Sequence, residues 1–119
     1  MKIEISEIGG VAIAEIVSDE VVINETQDAL DLIANIGYLG SRKMIIHEKN
    51  IISEFFDLKT KIAGDILQKF STYGFQLAIV GDFSKYESKS LTDFIFESNK
   101  YGRINFVGSI DEARERLLK

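Results

Sequence analysis

The chain contains no cysteine, no proline and no tryptophan, and only one histidine in 119 residues. Without cysteine there is no disulfide, no thiolate chemistry and no cysteine-based zinc or iron–sulfur site. Without proline, the turns must form on Gly, Asn, Asp and Ser. No stretch approaches the ~20 apolar residues of a membrane span, and the opening Met1-Lys2-Ile3-Glu4-Ile5 alternates rather than forming a signal-type apolar run. The expected location is therefore cytoplasmic, with no membrane contact. The formal charge is −5, and the densest basic stretches, Lys59/Lys61, Lys85/Lys89 and Lys100/Arg103, each have acidic neighbours. A polyanion would be repelled by that mean field, so nucleic acid is not an expected partner.

What is present reads as one α/β domain spanning residues 1–119. Hydrophobic residues make up 45% and charged residues 28%, an ordinary globular balance. Ile3 and Ile5 alternate with Lys2, Glu4 and Ser6, the pattern of a half-buried edge strand. Gly9-Gly10 then marks a hairpin into the more apolar Val11–Val17 segment. Asn24 with Gln27 reads as a capping box for a helix carrying Ala29, Leu30, Ile33 and Ile36, stopped at Gly37 or Gly40. Lys43-Met44-Ile45-Ile46 reads as a central strand.

Phe55, Leu58, Ile62, Ile66 and Phe70 recur at helical spacing, so the second helix is expected to begin near Asp57 and to end at Gly74. Gln76–Val80 is a strongly apolar strand broken by Gly81-Asp82. Ser90 with Asp93 predicts the cap of a third helix, and Asn99 to Gly102 its end. Ile104–Val107 is the last strand, and Ser109 with Glu112 caps the last helix. The order is β-β-α-β-α-β-α-β-α. It predicts a mixed sheet, mostly parallel, with an antiparallel N-terminal hairpin.

Ligands of such sheets bind beyond the carboxyl ends of the strands. There the chain carries His47-Glu48-Lys49-Asn50, Gly81-Asp82 and Gly108-Ser109. No glycine-rich phosphate loop, HExxH or clustered carboxylate motif appears, and no cofactor or metal is expected. His47, without a second histidine, reads as an ordinary surface residue. Asp57 follows Phe55-Phe56, and this aromatic–acid pair at a helix start is a candidate partner site. Of the phenylalanines, Phe94 and Phe96 must point to different helix faces, which leaves Phe56 or Phe96 as a candidate exposed aromatic.

Residues 52–60, from Ile52-Ser53-Glu54-Phe55-Phe56-Asp57 to Thr60, and 63–70 resemble a family of short bacterial proteins, domain of unknown function 4180. So do Leu77–Phe83, Ser88–Leu91 and Phe94–Asn99. The resemblance places Phe56, Asp57, Gly64, Gln68, Gly81, Asp82, Ser90, Glu97 and Asn99 within family motifs and implies no activity. The element order also resembles the STAS domain of anti-sigma-factor antagonists and sulfate-transporter tails. Asp57-Leu58-Lys59-Thr60 stands where that domain carries Asp-Ser-Ser/Thr-Gly. Leu58 replaces the phosphorylated serine, so the usual phospho-serine switch is not expected.

Two functions follow as expectations. The first is a non-enzymatic, STAS-like regulatory domain that binds an unidentified protein partner. Its surface would be Phe55, Phe56, Asp57, Lys59 and Thr60, with Gly81, Asp82 and Ser84 nearby. The second is a small-molecule or enzymatic site on the polar rim: Asp57, Asp82, Ser90, Glu97 and Asn99. A homodimer through the edge strand Lys2–Glu7 fits either.

Overall fold

A computed structural model describes residues 1–119. The hairpin forms as its sequence requires: β1 (Lys2–Ile8) and β2 (Val11–Val17) pair antiparallel, with Ile8 opposite Val11. Gly9 and Gly10 both take left-handed φ, 58° and 81°, as the tight turn that matches strand twist demands. β3 (Lys43–His47), β4 (Gln76–Val80) and β5 (Ile104–Val107) add parallel to β2 in the order β1-β2-β3-β4-β5. The four helices are α1 (Thr26–Tyr38), α2 (Ile62–Thr72), α3 (Lys89–Tyr101) and α4 (Ile110–Leu117).

Strands adjacent in sequence are adjacent in the sheet, and crossovers of one hand then place their helices on one face. Accordingly α1, α2 and α3 bury Ile33, Ile36, Ile66, Phe70 and Leu91 against Ile16, Met44, Ile46, Leu77 and Ile79. α4 follows the last strand and is not a crossover. It covers the opposite face, where Ala113 and Leu117 meet Ile45, Ala78 and Val107.

Three expected element boundaries move. Asn24 with Gln27 does not cap α1. Asp28 does, one residue on, accepting from Asn24 N–H at 2.8 Å and Glu25 N–H at 3.2 Å. Its full negative charge suits a helix N-terminus better than the neutral Gln27 amide, which donates instead to Asp31. Ser88, not Ser90, caps α3 and accepts from Leu91 N–H at 3.2 Å. That start leaves Leu91 buried against the sheet and Ser90 exposed in the first turn.

The largest shift concerns the second helix. It begins at Ile62, not near Asp57, and is preceded by three single 3₁₀ turns at Glu48–Asn50, Ser53–Phe56 and Leu58–Thr60. Short polar side chains compete here with the helix ladder. Asp57 Oδ1 accepts from Lys59 N–H at 3.2 Å, and the Thr60 hydroxyl reaches the carbonyls of Glu54 at 2.9 Å and Asp57 at 2.8 Å. Lys61 then adopts φ 65°, the one non-glycine residue in the left-handed region, at a cost of about 1–2 kcal/mol.

Candidate functional site

Beyond the carboxyl ends of β3 and β4 the chain leaves the sheet through two irregular segments, residues 48–60 and 81–88. They meet around Glu48. Its side chain is only 14% exposed, and it accepts from the Tyr86 hydroxyl and from Lys85 Nζ, the latter at 2.8 Å. The two hydrogen bonds offset the cost of burying this carboxylate.

Gly81 makes the arrangement possible. A Cβ on this residue would sit 2.6 Å from Glu48 Oε1, 2.8 Å from Glu48 Cβ and 3.1 Å from Phe83 Cζ. The backbone at the end of β4 passes so close to Glu48 that only glycine fits.

Aromatic rings hold the second segment down. Tyr86 stacks on Phe56 with ring centres 5.3 Å apart. Phe56 also contacts Phe55 edge-on at 4.9 Å and Phe83 at 6.0 Å, and Phe83 meets Phe106 edge-on at 5.3 Å. Burial and the Glu48 carboxylate, as acceptor and as negative charge, together push the Tyr86 phenol well above its ordinary value of 10. It stays a neutral donor to Glu48 throughout the physiological range.

Asn50 fixes the first segment from below. It is fully buried and donates its amide to the carbonyls of Ser18 at 2.9 Å and Glu20 at 2.8 Å. The β2–α1 loop is thereby tied to the turn after β3. Between that loop and the two irregular segments lies an open depression of about 460 Å³. Val21, Ile51, Ile52, Phe56 and Tyr86 supply its apolar surface, and Glu48, Lys49 and Lys85 stand at its edge.

The residues expected from the sequence do not converge on one site. Phe55 and Phe56 are buried, at 1% and 5% exposure, which corrects the expectation that their rings form the partner-facing surface beside Asp57. They are the core under the surface, because their 3₁₀ turn folds inward. Asp57, Lys59 and Thr60 are exposed on the next turn. Asp82 and Ser84 cap each other locally: Ser84 donates to Asp82 Oδ1 from its backbone at 3.1 Å and its hydroxyl at 2.6 Å. These bonds, the side-chain one foremost, hold the Asp82 carboxyl below its ordinary value.

Ser90 and Glu97 are exposed on α3 and line no part of the depression. Asn99 lies in the last turn of α3, which ends at Gly102 as expected. The Asn99 amide bridges to β5, accepting from Phe106 N–H at 2.7 Å and donating to the Phe106 carbonyl at 3.1 Å. The five residues of the expected polar rim form no hydrogen bond or ion pair with one another. Phe96 is the exposed aromatic, at 65%, with Lys100 over its ring.

Glu48 stands in the strand-end run where a ligand is expected, while Lys85 and Tyr86 belong to a hydroxyl-rich loop with no motif of fixed spacing. One signal pointed to them: an apolar strand ending in Gly81-Asp82 opposite another ending in His47-Glu48, in a sheet whose carboxyl ends gather loops. No three His, Asp or Glu side chains cluster as a metal-ligand set.

The family model described as Domain of unknown function (DUF4180) matches residues 8–117. The chain belongs to this family. The match takes in the whole constellation around Glu48, from the β2–α1 loop to α3. No curated protein and no solved structure matches the chain. No helix is long and apolar enough to cross a membrane.

Proposed function

We propose that this chain is a STAS-like regulatory domain that binds another protein through the crest at the carboxyl ends of β3 and β4. The supporting observation is the apolar depression beside the 3₁₀ segment. Val21 is 43% exposed there, in a hollow that Ile52, Phe56 and Tyr86 also line. Apolar surface rimmed by charge is the usual composition of a recognition patch. The partner presents an aliphatic or aromatic side chain to this hollow, and Asp57, Lys59 and Thr60 form the polar margin of the contact.

The element order supports the STAS-like reading, as does the position of Asp57–Thr60 before α2. With leucine at position 58, regulation does not pass through a serine phosphate there. The polar-rim reading has less support, since none of its residues lines the depression.

Site-specific photocrosslinking tests the proposal. A photoreactive residue at Ser53, on the edge of the depression, is expected to capture one defined protein in the cells that make this chain. The same group at exposed Tyr38 is expected to capture none. Equal capture at both positions, or none at Ser53, contradicts the proposal.

A further inference from the structure

The opposite end of the sheet has a different character. Residues 32–47, 66–81 and 98–110 contain no Asp or Glu, although the chain has 19 acidic residues against 14 Lys and Arg. These three stretches carry the α1–β3, α2–β4 and α3–β5 turns, so they gather at the amino ends of the strands. Together they bring Arg42, Lys43, Lys69, Lys100 and Arg103 to a chain of net charge −5.

A depression of about 500 Å³ opens at that end, lined by Arg42, Lys43, Arg103, Gln76, Tyr101 and two turn glycines. None of its three cations forms an ion pair with a carboxylate. Each donates to a backbone carbonyl: Arg42 to Tyr73 at 3.2 Å, Arg103 to Phe75 at 3.1 Å, and Lys43 to Leu117. A guanidinium has five N–H donors, so most of those on Arg42 and Arg103 remain free.

Cations at this end also neutralise helix C-termini, each worth about half a negative charge. The ends of all four helices lie here, which amounts to roughly two negative charges. Arg42, Lys43 and Arg103 exceed that sum by about one charge. The surplus is unpaired positive charge in a concave site, where low-dielectric walls concentrate the field.

We propose that this depression binds a phosphorylated small molecule with a planar body, of mononucleotide size. The Arg42 and Arg103 guanidinium groups take the phosphate, as their fork geometry suits. The Tyr101 side chain, 89% exposed at the edge, stacks on the planar part. The volume lies within the range of small-ligand sites. This inference does not depend on the partner surface, which lies at the other end of the sheet.

Calorimetric titration of the full chain with pyrophosphate and with a mononucleotide, at low and high salt, tests it. Both are expected to bind saturably at one site and to weaken as salt is raised. Arg42→Gln and Arg103→Gln are each expected to weaken both ligands at least tenfold, in protein shown to be folded by its melting curve. Lys89→Gln, the same charge change on α3, is expected to leave both unchanged. Tyr101→Ala, at a side chain with no packing role, is expected to weaken the mononucleotide several-fold and pyrophosphate not at all. Absence of saturable binding, or equal binding by the arginine variants, overturns the proposal. Binding of a short oligonucleotide without binding of the mononucleotide also overturns it, in favour of a nucleic-acid surface.

Discussion

The Asn99 side chain lies along β5 as the backbone of a sixth strand would, exchanging two hydrogen bonds with Phe106. On that edge of the sheet the outward N–H and carbonyl of Phe106 are therefore satisfied by a single amide. The other edge, β1, keeps its outward backbone groups and carries Lys2, Glu4 and Glu7, charges of the kind that discourage edge-to-edge pairing.

Replacing Asn99 by Ala leaves the Phe106 N–H and carbonyl without partners. A loss of about 1–3 kcal/mol is expected in urea unfolding. Asn99→Asp retains an acceptor for the N–H but sets a carboxylate beside the carbonyl, so it is expected to recover only part of the loss. An alanine variant as stable as the parent would show that the edge needs no cap.

Gly81→Ala is expected to destabilise the chain by about 1–3 kcal/mol, the range for overpacking a close contact. The added methyl meets Glu48 from two sides. Adding Glu48→Ala removes the Oε1 contact but not the Cβ contact, so the double variant is expected to lose less stability than the two single losses summed. Thermal melts of the two single variants and the double variant measure this coupling.

The Tyr86 phenol gives the fold an alkaline limit. Its folded pKa lies above the unfolded value of about 10, so the folded state holds a proton that the unfolded state releases. Its contribution to stability is full below pH ~10 and declines as pH rises beyond that. Tyr86→Phe is expected to remove this part of the decline. Its baseline loss at neutral pH should be about 1.5–3 kcal/mol, the range for a hydrogen bond to a charged group. Denaturant unfolding between pH 8 and 11 checks both effects. A parent and variant that fall in parallel would contradict the assignment.

Lys61 is expected to tolerate glycine with a small gain. The left-handed φ of 65° costs lysine about 1–2 kcal/mol, while glycine adds roughly 0.5–1 kcal/mol of backbone entropy to the unfolded chain. Unfolding of Lys61→Gly in denaturant is expected to show a stabilisation of up to about 1 kcal/mol. A clear loss would mean that the lysine side chain contributes elsewhere.

Periodicity made the strands, α1 and the last two helices legible, because each buries one regular face: Ile33 and Ile36 on α1, Ala113 and Leu117 on α4. It misled at Phe55 and Leu58. Their spacing matches a helix, but they belong to 3₁₀ turns, because Asp57 and Thr60 bind local backbone groups that a helix would use. The caps moved by one or two residues because several Ser, Asp and Asn compete at each helix start. The site around Glu48 was harder to read. Its residues are 38 positions apart at Glu48 and Tyr86, and neither belongs to a motif with fixed spacing. Only the parallel register of β3 and β4, with His47 beside Val80, brings them together.

The central claim is that a protein partner covers the crest formed by residues 48–60 and 81–88. Hydrogen–deuterium exchange of the chain, alone and with the protein captured at Ser53, measures this most directly. The account predicts new protection confined to those two segments and the neighbouring loop at Val21. Protection that falls on α1 or on the β1 edge, with the crest exchanging as in the free chain, would contradict it.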